Sequence, residues 1–162
     1  PNLFEIVSYN YWHLNHGHIP SEDDRRRMAQ YLASDAGYEH VMNVVRARML
    51  ASGMSEGEFA AFKKAFALEL YLRYIEKFSP RIGRKIARVR VRKMQTRWGS
   101  CNHAKGYLNF SLSLIERDRR FIEYVVLHEL AHLIHANHGA DFYALIAQIM
   151  PDFRARIKLG KG

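Results

Sequence analysis

His128-Glu129-Leu130-Ala131-His132 asks for a helix. On a helix, side chains four residues apart leave the same face one turn apart. Glu129 then lies about 100° round from His128, close enough to touch a water on an ion held by the two histidines. The surroundings agree: Phe121, Ile122, Tyr124, Val125, Val126, Leu127, Leu130, Leu133 and Ile134 make an apolar helix. Histidine and glutamate are costly inside such a helix unless they have partners, and a metal ion supplies one. Neutral imidazoles suit zinc, and three protein ligands with an open fourth position make a catalytic site rather than a structural one. The pattern therefore predicts one Zn²⁺ per chain and a hydrolysis in which Glu129 carries the proton of a zinc-activated water.

With 162 residues and 48% hydrophobic side chains, the chain has material for one domain with a real core. One cysteine rules out an internal disulfide framework and suits a reducing compartment. Residues 1–14 show no basic flank followed by an apolar stretch, and every apolar run is too short for a membrane span. The expectation is a cytoplasmic protein with no membrane partner. Net charge is +9, and residues 73–97 hold ten Lys+Arg against Glu76 alone, so one segment carries the surplus.

The pattern along the chain is helical first. Ser21-Glu22-Asp23-Asp24 opens a helix expected over 22–36 and stopped at Gly37; a second is expected over 38–52, ending at Gly53. Ser55-Glu56-Gly57-Glu58 is a capping box for a long helix to about Phe78, with Ser79-Pro80 as its stop. Phe59, Phe62, Phe66, Leu70 and Tyr74 recur at helical spacing as a core-facing stripe.

The period then becomes two. Ile86, Val89 and Val91 alternate with Arg88, Arg90 and Arg92, predicting a strand with one apolar and one arginine face. Gly99 and the stretch Asn102 to Gly106 read as turns. Tyr107, Asn109, Ser111 and Ser113 alternate with Leu108, Phe110, Leu112 and Leu114 as a second strand. The motif helix is expected from Glu116 to about Ala136, and a last helix from near Gly139 to before Pro151. These elements predict an α+β fold in a single domain, 1–162: a mainly helical part over 1–80, then a core over 81–162. There a small antiparallel sheet carries the metal-binding helix packed on it.

Arg97-Trp98-Gly99-Ser100-Cys101, Tyr107-Leu108-Asn109-Phe110, His128-Glu129-Leu130-Ala131-His132 and Asn137-His138-Gly139 with Phe142 together resemble the YgjP-like metallopeptidase family. That family is similar to the SprT and Spartan-type proteases within the zincins. The resemblance covers roughly 81–153 and differs at Ala131, Gly139 and Tyr143, where cysteine, serine and tryptophan are usual. It implies a zincin-like fold, zinc ligands at His128, His132 and His138, and Glu129 as catalytic acid and base.

The third ligand has a rival in His135, seven residues after His128 and so about 10.5 Å further along the axis. A straight helix cannot bring His128, His132 and His135 onto one ion with bonds of about 2 Å. His138, beyond a helix end expected near Ala136-Asn137, can fold back; His135 is left for the pocket rim.

Arg97 and Trp98 read either as cleft-lining residues, as the resemblance suggests, or as a packed loop with Trp98 plugging the core. Cys101 reads as a small buried thiol, with a zinc-facing inhibitory thiolate as the alternative. Tyr107, Tyr143 and His103 are candidates to stabilise an oxyanion, and Asn109 is a further candidate for the substrate site. His13, His16 and His18 lack an acidic or cysteine companion and read as a polar loop rather than a second metal site.

Arg88, Arg90 and Arg92 could track the phosphates of a nucleic acid. The other reading is an edge strand protected by charge, and no aromatic is interleaved on that face to stack a base. The functional expectation is a zinc-dependent peptidase acting on protein or peptide. The alternatives are a metal-dependent nucleotide phosphohydrolase, which a three-histidine site suits less well than carboxylates around Mg²⁺ would, and a nucleic-acid-binding module with a structural metal.

Overall fold

The computed structural model describes residues 55–160 and, before them, 21–24, 26, 27, 40, 43, 47, 51 and 53. The chain divides into two compact units, Pro1–Glu69 and Leu70–Gly162. In the first, the Ser21 N–H donates to Asp24 Oδ2 (3.0 Å) and the Asp24 N–H donates to Ser21 Oγ (3.2 Å). This reciprocal cap opens a helix where one was expected. The stop at Gly37 and the histidines at 13, 16 and 18 lie outside the described residues. Residues 40, 43, 47 and 51 are helical, and Gly53 follows at the expected stop.

Helix α1 spans Glu56–Ile82. Ser55 Oγ accepts the Glu58 N–H at 3.1 Å, half of the capping box. The expected stop at Ser79-Pro80 is corrected, because the helix runs through Pro80. Proline lacks one N–H near the end of the helix, where few further bonds depend on it. The terminator is Gly83, whose φ of 67° only glycine adopts readily and whose N–H reaches the Ser79 carbonyl at 3.0 Å. Of the predicted stripe, Phe66, Leu70 and Tyr74 are buried; the Phe59 and Phe62 side chains lie outside the described residues.

The second unit is built on a sheet of β1 (Arg88–Arg92), β2 (Gly99–Asn102) and β3 (Tyr107–Ser111) in the order β1-β3-β2. The sheet is mixed, which corrects the antiparallel expectation: β2 pairs antiparallel to β3, but β1 pairs parallel to it, with Arg88 opposite Tyr107 and Val91 opposite Phe110. Residues 93–106, β2 included, provide the crossover that parallel neighbours need. Gly99, expected in a turn, begins β2 instead. Gly-Ser-Cys-Asn has no alternation of apolar side chains to announce a strand, and β2 exists because Gly99 and Cys101 pair with Phe110 and Leu108.

The arginine face of β1 is present, with Arg90 and Arg92 exposed and Val91 buried. One detail is corrected: that face does carry an aromatic, Tyr107, and the Arg88 guanidinium covers its ring at 3.8 Å. β1 is an edge strand, so its exposed arginines suit protection against further pairing.

A 3₁₀ turn, Leu112–Glu116, leads into α2, Arg119–Ala131, capped by Asp118 accepting the Arg120 N–H at 2.9 Å. Helix α2 is shorter than the predicted 116–136. Helix α3, Ala140–Ile149, starts after Gly139 as expected, and α4, Phe153–Leu159, was not anticipated. Helix α2 packs on β2 and β3 and against α3 and α4, with Leu108, Phe110, Leu127, Leu130, Phe142 and Ile146 almost wholly buried. Burial of each such side chain is worth roughly 1.5–3 kcal/mol. Arg156 ties α4 to α2 through Glu123 (3.1 Å) and the Arg120 carbonyl (3.2 Å). No described helix is long and apolar enough to cross a membrane.

Candidate metal centre

His128 lies in the last turn of α2 and His132 is its C-cap. The helix ends at Ala131, five residues before the expected Ala136. The chain therefore turns early and returns His138 to the same point. The three Nε2 atoms lie 3.3 Å (128–132), 3.0 Å (132–138) and 3.1 Å (128–138) apart. Three ring nitrogens cannot satisfy one another at these distances. Each presents either a proton or a lone pair, so at least one of the three pairs must match like with like. A cation at the centre resolves that conflict, and tetrahedral zinc with bonds of about 2.0–2.1 Å holds its nitrogens about 3.3–3.4 Å apart. The residues fit the ion.

The outer ring nitrogens support the same arrangement. His132 Nδ1 donates to the His135 carbonyl at 3.0 Å, leaving its Nε2 lone pair inward. The Tyr124 hydroxyl bonds His128 Nδ1 at 3.0 Å. Phe142, fully buried, packs on all three imidazoles with ring centroids 4.9, 4.6 and 5.1 Å away. Burial, then the neighbouring His132 and His138, pull His128 down to about 3, and burial lowers His132 also. Both are thus neutral, as ligands must be.

Glu129 is 6% exposed. Burial pushes its carboxyl up to about 7, opposed by the positive charge of Arg97; a cation beside it would draw the value down again. Its place under the sheet depends on Gly99. A Cβ there would come within 2.8 Å of Glu129 Cγ and 3.1 Å of the Asn109 carbonyl. Gly99→Ala is therefore expected to keep the metal but displace the carboxylate, with a rate loss of about 10²-fold for a shift near 1 Å. Metal content and turnover measured together check this; unchanged turnover would mean that the carboxylate position does not matter.

The centre opens into a cleft of about 680 Å³. Arg97, Trp98 and His103 line it; Tyr107, Asn109, Tyr143 and His135 do not. Tyr107 is held under Arg88, Asn109 Nδ2 donates to Ser100 Oγ (3.3 Å), and Tyr143 stacks on Phe153 with centroids 6.0 Å apart. His135 serves through its carbonyl rather than its ring. Trp98 lines the cleft, half-buried and packed edge-on against Phe121 at 5.8 Å, rather than plugging the core. Cys101 is half-buried in the cleft wall, its thiol pushed up to about 11 by burial and then by the charge of Glu129. Tyr124, Gly99 and Phe142 escaped the list of candidate site residues. Tyr124 was in view: it precedes His128 by four residues, one turn along the same face.

The α+β fold thus gathers three histidines able to hold a metal ion beside a buried carboxylate that lines the same cleft. The family model for the YgjP-like metallopeptidase domain matches residues 38–159, and the chain belongs to that family. The match starts well before Arg81, where the motif resemblance began. Among solved structures, the chain is similar to the metallopeptidase zymogen of Pyrococcus abyssi abylysin. Identity is 17% and the TM-score 0.45, over 59% of this chain and 94% of that one. No protein of curated function matches the chain. Membership in the family supports a metal-dependent peptidase.

Proposed function

We propose that the protein is a zinc-dependent peptidase in which His128, His132 and His138 hold the metal and Glu129 is the general acid and base. The observation that carries this reading is the convergence of three Nε2 atoms at 3.0–3.3 Å, at the floor of a cleft that Glu129 also lines. Zinc supplies Lewis acidity to water and to a carbonyl oxygen. The chain's own part is positional and protonic. A Glu129 carboxylate oxygen accepts the proton of the attacking water and later delivers it to the leaving nitrogen.

Strand β2 is the edge of the sheet on the cleft side, and an extended peptide can lie along it by main-chain hydrogen bonds. Of the three residues considered for the oxyanion, His103 alone lines the cleft. A reducing cytoplasm suits a chain with a single cysteine.

The test is metal analysis with digestion of an unfolded protein such as reduced casein. About one zinc per chain is expected, digestion should cease after chelation, and added zinc should restore it. Digestion that survives complete metal removal would overturn the reading.

A further inference from the structure

The walls of the cleft are unevenly charged. Among the described residues that line it, Glu129 is the only carboxylate, buried and assigned to the chemistry, whereas Arg97 and His103 are both exposed there. Arg97 makes no hydrogen bond or ion pair with any described residue; its charge is felt by Glu129. A guanidinium is a rigid fork of donors that matches a carboxylate bidentately. Among the described residues of the cleft no free acid pairs with it, which leaves such a group able to receive an anion. Trp98, Phe121 and Tyr124 line the same cleft and give it an apolar side.

We infer that Arg97 is a specificity residue that receives an acidic side chain flanking the scissile bond, so that the protein prefers acidic peptides. This rests on the peptidase reading above. The rival role is that Arg97 serves only to adjust Glu129. The two roles separate cleanly: an adjusted Glu129 changes the rate on every peptide alike, whereas a receptor changes the ratio between peptides.

The experiment compares two peptides that differ only by Glu or Gln beside the cleaved bond, and a third with Lys there. Their kcat/KM values are measured for wild type, Arg97→Gln and Arg97→Glu. Wild type should favour Glu over Gln by about fivefold at low salt, a margin that shrinks as salt is added. Arg97→Gln should bring the ratio near one, and Arg97→Glu should shift the preference to Lys. The same peptides are titrated onto chelator-treated protein, where no metal can attract the carboxylate, and the same order of affinities is expected.

A Glu-to-Gln ratio unmoved by Arg97→Glu in both assays would overturn the inference while leaving the peptidase intact. Binding ratios as expected, with none of the three peptides cleaved, would support the receptor and sink the peptidase reading alone. A nucleoside triphosphate that binds more tightly than the acidic peptide and loses phosphate would overturn both, assigning Arg97 to phosphate.

Discussion

Glu129→Gln is expected to keep one metal ion per chain and to lose about 10²–10⁴-fold in turnover, the span typical of a positioned general acid and base. The metal should stay because, among the described residues, the cluster able to hold an ion consists of His128, His132 and His138. Glu129 is not among its members. The fold should stay because the amide has the shape of the carboxylate it replaces. It also enters a site where burial already disfavours charge. What the amide cannot do is accept a proton and return it. Metal content, thermal midpoint and rate on one substrate, measured on the same preparation, check all three statements. A variant with full metal and wild-type turnover would remove Glu129 from the chemistry and leave the metal centre to account for the reaction alone.

The residues that could be named from sequence are those whose geometry is local. His128 and His132 share a face because of helical spacing, whatever the rest of the chain does, and the apolar residues around them show which way that face points. The arginine alternation of β1 and the cap at Ser55 are local in the same sense, and both are present.

What could not be read depends on partners distant in sequence. Strand β2 has no pattern of its own and is made by pairing with Leu108 and Phe110, so Gly99 passed for a turn. Its real function, leaving room for Glu129, requires knowing that two segments some thirty residues apart touch. The parallel pairing of β1 with β3 is likewise a matter of where the chain crosses, and no residue in either strand encodes it. Pro80 illustrates the reverse error: a strong local signal for a helix stop gave way to Gly83 three residues later. The early end of α2 had no Gly or Pro to mark it. It is held by the His132 ring bonding the His135 carbonyl, a contact that exists only once the turn has formed.

That turn decides between the two histidines. His138→Ala is expected to weaken zinc binding by well over the 10–100-fold typical of losing an outer hydrogen bond, since it removes one of three ligands. His135→Ala should leave the stoichiometry at about one and the affinity within a few-fold. The reason is specific: His135 contributes its backbone carbonyl to His132 Nδ1, and alanine has the same carbonyl. Its side chain is not in the cluster. A competition titration with a chromophoric chelator reads both variants on one scale, and wild-type circular dichroism for each excludes a general loss of structure. If His135→Ala lost the metal while His138→Ala kept it, the chain would have to reach the ion by a different turn. The 3.0 and 3.1 Å approaches of His138 Nε2 to its two partners would then have no part in binding.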